Sequence, residues 1–380
     1  MNKILCWQLV LSFCVLTVYG QVKTRVSLAK DVNNIFEKWN KNESPGYAIG
    51  IVKGDKMIFS ANYGLANLDY NLPITSSSAF DIASVSKQFT AACIALLIMD
   101  KKIDLETPAE RFIPELAKYN DTIRIKHLLY NTSGIPDYPG LQRKNGLSWV
   151  TFNYFTIDEC IRTSLANDTL SFKSGMKWDY CNVNFMLLTK IVEKVSGMPF
   201  SEFARLKLFE PLGMKHTLVN DDNTEIIPNR VTPYNPRNKA YVDAYNKEGI
   251  HVNQGSGWLQ HPRNSPHYGG SGVVTSVNDF ALWEVNFSTR KFGGNEFYDL
   301  MHLKLNFPHG RNNQAFGLYT EKYNGRTFWA WDGGDFGISS QAMYFPDKKI
   351  AIMVLSNMGN GNAAEKTIEI ADVLIKTGLL

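Results

Sequence analysis

From Cys93 to Met99 the chain is apolar at every position, inside the segment SVSKQFTAACIALLIMD over 84–100. A helix that is hydrophobic all round has to be buried. The fold must therefore be built around this segment, with Ser84 and Lys87 at its N-terminal end. Residues 28–40, LAKDVNNIFEKWN, place Leu28, Val32, Ile35, Phe36 and Trp39 on one helical face,. GYAIGIVKGDKMIFSANYG then reads as two short strands around a turn at Lys53-Gly54-Asp55-Lys56,. Helical patterns alternate with polar turn-forming stretches up to about residue 215. Strand patterns dominate again from about 266, in SGVVTS, RTFWAW, SSQAMYF and KIAIMVLSN, before an amphipathic helix in NAAEKTIEIADVLIKTGLL. The expectation is an α/β fold: an antiparallel sheet flanked by helices and shared by both ends of the chain, with an inserted, mostly helical subdomain. The α/β part would take 21–83 and 266–380, and the helical part 84–265.

The first twenty residues stand apart. Lys3, an apolar run from Ile4 to Val18 and small Gly20 before a polar stretch form the pattern of a secretory signal peptide,. The run is shorter than the roughly 20 residues a bilayer span needs. The expectation is an exported protein, periplasmic or extracellular, with no membrane span after cleavage. Cys6 and Cys14 would leave with the signal, and Cys93, Cys160 and Cys181 would remain. Three cysteines at irregular spacing are not a disulfide framework, although one pair can form. Net charge is +4 and evenly spread, which argues against a nucleic-acid partner,. The seven His are scattered singly and no metal-ligand spacing occurs, so no metal or cofactor is expected,. Five Asn-x-Ser/Thr triplets begin at Asn42, Asn120, Asn131, Asn167 and Asn286.

Ser84-Val85-Ser86-Lys87 is an S-x-x-K. On a helix, positions three apart share a face, so the hydroxyl and the amine can meet. A serine hydroxyl becomes a nucleophile once a base takes its proton. A lysine serves as that base when burial disfavours its charged form. The helix N-terminus adds free N–H groups that stabilise an oxyanion. The motif is short and common by chance, so its weight comes from its company. The G-x-S-x-G elbow of α/β-hydrolases does not occur,.

That company is a resemblance. FDIASVSKQFTAACIALLIMDKKIDLETPAERFIPEL, IRIKHLLYNTSGIPDY, WDYCNVNFMLLTKIVEKVSGMPFSEFARLKLFEPLGMKHT, GGSGVVTSVNDFALW and WAWDGGDFGISSQAMYFPDKKIAIMVLSN follow one another. In that order they resemble the serine β-lactamase and penicillin-binding-protein superfamily, in the branch of class C β-lactamases, D-amino-acid peptidases and related esterases. The resemblance covers nearly all of 30–375. It implies Ser84 as nucleophile with Lys87 as its partner. Tyr180-Cys181-Asn182 matches a Y-x-N motif, with Tyr180 as base or proton relay and Asn182 binding substrate and Lys87. The third motif departs. Where relatives carry K-T-G or H-x-G, this chain has Trp331-Asp332-Gly333, followed by Gly334. The glycines fit a close-approaching backbone, and the resemblance implies an oxyanion hole from the amides of Ser84 and Gly334. The lysine or histidine that favours a substrate carboxylate is replaced by the uncharged indole of Trp331. Asn131 stands where many relatives have His. Trp178, Trp258, Trp329, Trp331 and Tyr138 are candidate cleft aromatics. Of these, only Trp331 and Tyr138 match family positions beside the site.

The implied function is an acyl-serine hydrolase with no cofactor, acting on a small or peptide-like ester or amide. Esterase or D-amino-acyl amidase comes first, and β-lactamase or D,D-carboxypeptidase is the alternative. A non-catalytic binding protein of the same fold is a third reading, motivated by the altered third motif. Nothing in the residues specifies an oligomeric state.

Overall fold

The computed structural model describes residues 26–41, 43–144, 155–247, 249–261 and 267–380. The signal-peptide reading of 1–20 and the triplet at Asn42 lie outside them. Helix α1 (26–36) buries Leu28, Val32 and Phe36, four apart on one face,. Strands β1 (Tyr47–Lys53) and β2 (Lys56–Tyr63) form a hairpin, with Gly54 at φ 65° supplying the left-handed turn residue,. Four further strands, β3 (Tyr319–Tyr323), β4 (Arg326–Asp335), β5 (Ile338–Phe345) and β6 (Ile350–Ser356), complete an antiparallel sheet in the order β3-β4-β5-β6-β1-β2. The N-terminal hairpin docks on the last strand, with Tyr47 opposite Ser356 and Lys53 opposite Ile350.

Period-two alternation splits each central strand between two cores. Tyr47, Ile49 and Ile51 of β1, with Ile350, Ile352 and Val354 of β6, join α1 and the final helix on one face. Ala48 and Val52, with Ala351, Met353 and Leu355, face the helical layer on the other. Both faces are covered, which is why these antiparallel strands read as nearly continuous apolar runs. The helical layer contains α2 (Lys87–Met99), α3 (Asn182–Ser196) and α4 (Val277–Thr289). The final helix is α5 (Ala363–Lys376). At Gly50 a Cβ would fall 2.6 Å from Met353 Cε and 2.9 Å from Val277 Cγ2, so glycine lets α4 lie close on the sheet. α2 is buried from Lys87 to Ala95, and Trp283 of α4 donates its indole N–H to Gln88 Oε1 at 2.6 Å.

Several details refine the expectation. Ser84 precedes α2 rather than lying in it, on a 3-10 turn at Ala83–Ser86. The stretch expected to be helical also carries short strands. Within it, Leu218–Val219 pairs with Val273–Thr275, which lies in the α/β part, and Tyr234–Pro236 pairs with Trp258–Gln260. The strand-rich end in turn contributes α4. Cys93, Cys160 and Cys181 are all buried and unpaired, so the one disulfide left open by the sequence does not form.

Candidate active site

The turn that carries Ser84 is held from three sides. Phe80–Asp81 leads into it, and Asp81 Oδ1 accepts from Ala83 N at 2.8 Å. Ser340 Oγ of β5 donates to Ile82 O at 2.7 Å. Ala83 has φ 46°, a left-handed conformation that costs an L-residue roughly 1–2 kcal/mol,. Backbone strain of this kind persists only where its surroundings enforce it, and here it presents the next residue, Ser84. β4 presses on the same turn. A Cβ at Gly333 would lie 2.3 Å from Ile82 O, 2.4 Å from Ser340 Oγ and 3.2 Å from Ser84 N.

Four sequence-predicted residues meet through hydrogen bonds. Ser84 Oγ is 2.6 Å from Tyr180 Oη, and Lys87 Nζ donates to Ser84 Oγ at 3.2 Å. Lys87 Nζ also donates to Asn182 Oδ1 at 2.9 Å and to the Gly270 carbonyl at 2.5 Å. Gly270 was not foreseen; its carbonyl completes three acceptors around the amine. Lys87 is fully buried, and burial lowers its pKa from 10.5 to about 7 against the opposing charge of Asp137,. Burial moves Tyr180 the other way, well above the usual phenol range, with only partial relief from its bond to Ser84. The amine is thus the group ready to accept a proton near neutrality. The neutral phenol is suited to relaying one. Asn131, at φ 54°, uses Oδ1 to accept from Cys181 N and Asn184 Nδ2, both at 3.3 Å, and so ties its loop to the Y-x-N segment.

A cleft of about 600 Å³ opens over Ser84. Ser84, Tyr138, Tyr180, Asn182, Trp331 and Gly334 line it. Gly333 does not: it packs behind the nucleophile turn, so its place is beneath Ser84 rather than against a substrate. Trp258 and Trp329 also lie elsewhere, packed on the cores. Trp178 also lines the cleft, although only Trp331 and Tyr138 match family positions beside the site. The Arg311 guanidinium stacks 4.3 Å from the Trp178 ring centroid and lines the cleft too, a cation that no motif announced. Glu321, Asp332 and Asp335 give the same cleft acidic groups. His267 stacks on Tyr138 with centroids 5.9 Å apart. Among the described residues no cluster of three or more His, Cys, Asp or Glu can hold a metal ion.

Solved structures with this architecture include the octameric penicillin-binding protein homologue from Pyrococcus abyssi, with a TM-score of 0.76 and 24% identity over 92% of this chain and 77% of that one. The D-amino acid amidase from Ochrobactrum anthropi, complexed with D-phenylalanine, has a TM-score of 0.74 and 19% identity over 92% of this chain and 99% of that one. At these identities the likeness is one of fold. In sequence, the chain is 25% identical over 314 residues to a D-aminopeptidase of Gluconobacter oxydans, covering 82% of this chain and 56% of the relative. It is 31% identical over 211 residues to penicillin-binding protein 4* of Bacillus subtilis, covering 54% of this chain and 44% of the relative. The chain thus spans about half the length of these curated relatives. The Beta-lactamase family model matches residues 32–375, from α1 through the nucleophile turn to α5. With that match running through every element that builds the cleft, the chain belongs to the β-lactamase family.

Proposed function

We propose that this protein is an exported serine hydrolase that forms an acyl-enzyme on Ser84. The observation that carries the reading is a serine hydroxyl 3.2 Å from a buried lysine amine and 2.6 Å from a half-buried phenol, at the floor of a cleft. Ser84 Oγ attacks the substrate carbonyl carbon. Its proton passes to Lys87, directly or through the Tyr180 hydroxyl. The carbonyl oxygen, now an oxyanion, is stabilised by the amides of Ser84 and Gly334. Collapse breaks the bond to the leaving group, which takes the proton back. Water, deprotonated by the same pair, then hydrolyses the acyl-serine. No cofactor enters. Export rests on the pattern of residues 1–20.

The substrate class follows from charge. Trp331 stands where a cation would favour a carboxylate, and Glu321, Asp332 and Asp335 disfavour one. Esters or D-amino-acyl amides fit such a cleft. The similarity to a D-aminopeptidase supports the amide side. Arg311 favours a second reading, hydrolysis of a carboxylate-bearing β-lactam or D,D-peptide. Three substrates separate these: p-nitrophenyl butyrate, D-alanine p-nitroanilide and nitrocefin, each with wild type and Ser84→Ala. Turnover of the ester or the anilide that vanishes in Ser84→Ala, with nitrocefin untouched, is the expected result. Fast nitrocefin hydrolysis moves the second reading to first place. Silence on all three from folded protein turns the account toward a narrower D-amino-acyl substrate or the non-catalytic reading.

A further inference from the structure

Asn182 serves two partners that need opposite ends of its amide. Oδ1 accepts from Lys87 Nζ at 2.9 Å, and Nδ2 donates to Asp137 Oδ2 at 2.9 Å. A carboxylate accepts and an ammonium donates, so these two partners together decide which way the amide points. Asp137 is itself fixed. Its Oδ1 accepts from Val183 N at 3.1 Å, in the first turn of α3, and from Tyr138 N at 3.2 Å. The Cys181 thiol lies 3.7 Å from the same oxygen. Asp137 does not line the cleft.

We propose that Asp137 is a positioning residue: it holds the Asn182 amide so that Oδ1 faces Lys87. Without it, the amide is free to turn Nδ2 toward the amine, placing donor against donor. The carboxylate also acts on Lys87 through its charge, favouring the protonated amine against burial,. The titratable groups facing Asp137 are Lys87, Tyr138, Cys160, Tyr180 and Cys181. Of these, Lys87 alone is cationic. Lys87 is faced in addition by Asp332. A carboxylate bonded to the first-turn amide of α3 is also a helix cap, so the test must separate capping from positioning.

The catalytic consequence rests on the acyl-serine reading, whereas the effect on Lys87 does not. The experiment uses the full chain as wild type, Asp137→Asn, Asn182→Ala and the double variant, with p-nitrophenyl butyrate turnover against pH. Asp137→Ser, which keeps a small acceptor near Val183 N, is the companion should Asp137→Asn fold poorly. The Lys87 side-chain nitrogen is titrated in parallel by NMR, its signal identified by its loss in Lys87→Met. Asp137→Asn is expected to lower kcat about tenfold or more, as supporting residues around a reactive group commonly do. In the Asn182→Ala background the same change should add less than about twofold, because the two act as one unit. Both the acid limb of kcat/KM and the Lys87 titration should move to lower pH. Losses that multiply in the double variant, or a Lys87 titration that stays in place, reduce Asp137 to a cap and overturn the proposal. If wild type shows no Ser84-dependent turnover, the functional reading falls, and the Lys87 titration alone decides on Asp137.

Discussion

If Lys87 takes the Ser84 proton as proposed, its burial sets the pH at which the site works. With the amine titrating near 7, kcat/KM should fall about tenfold per pH unit below that value, as the fraction of neutral amine falls,. A flat profile down to pH 5 would show that another group takes the serine proton. Glu284 is a second buried ionisable group, 2% exposed, and its Oε2 has no hydrogen-bond partner among the described residues. Burial raises its pKa from 4.5 to about 8. Between those values the folded chain holds a proton that the unfolded chain releases, so stability falls as pH rises through that window. Glu284→Gln removes the titration. Its urea midpoint should match wild type near pH 5 and exceed it at pH 8; equal midpoints at both would place the carboxylate in water. Residues with a local signature were legible before the fold was known. Ser84 and Lys87 share a turn, and Tyr180 and Asn182 share a tripeptide. Arg311, Glu321 and His267 reach the cleft from segments far apart in the chain, and no spacing rule connects them.

At the scale of elements, the buried run behind Lys87 and the period-two strands were readable because each is a repeating physical demand. A strand covered on both faces reads as apolar throughout, and an enclosed helix has no polar side. The meeting of β4 with the nucleophile turn was not readable, since it depends on tertiary contact. There Gly333 leaves room for Ile82 O and Ser340 Oγ. Gly333→Ala should push the turn away from β4, at a cost of about 1–3 kcal/mol in stability. Turnover should fall more than stability alone explains, because Ser84 N lies 3.2 Å from the added methyl position. Unchanged kcat in a folded Gly333→Ala protein would mean that the turn is not held there.

At the scale of the whole molecule, the six-stranded sheet joins the N-terminal hairpin to the C-terminal strands, β1 against β6, with α1 and α5 covering one face. Ile370, Ala371 and Leu374 of α5 are fully buried on that face. A chain ending at Asn362 lacks them and should expose the sheet residues they cover, among them Ile49, Ile352 and Val354, and aggregate or unfold; a soluble truncated protein with native turnover would contradict this role for the helix. The opposite face carries the cleft, where strand, turn and helix ends converge on Ser84. The central claim is that this convergence makes Ser84 a nucleophile. The direct test is to mix the protein with p-nitrophenyl butyrate, quench in acid, and map the butyryl group by peptide mass spectrometry. The account predicts the adduct on Ser84, absent in Ser84→Ala. Turnover that persists in Ser84→Ala, or an adduct on any other residue, would contradict it.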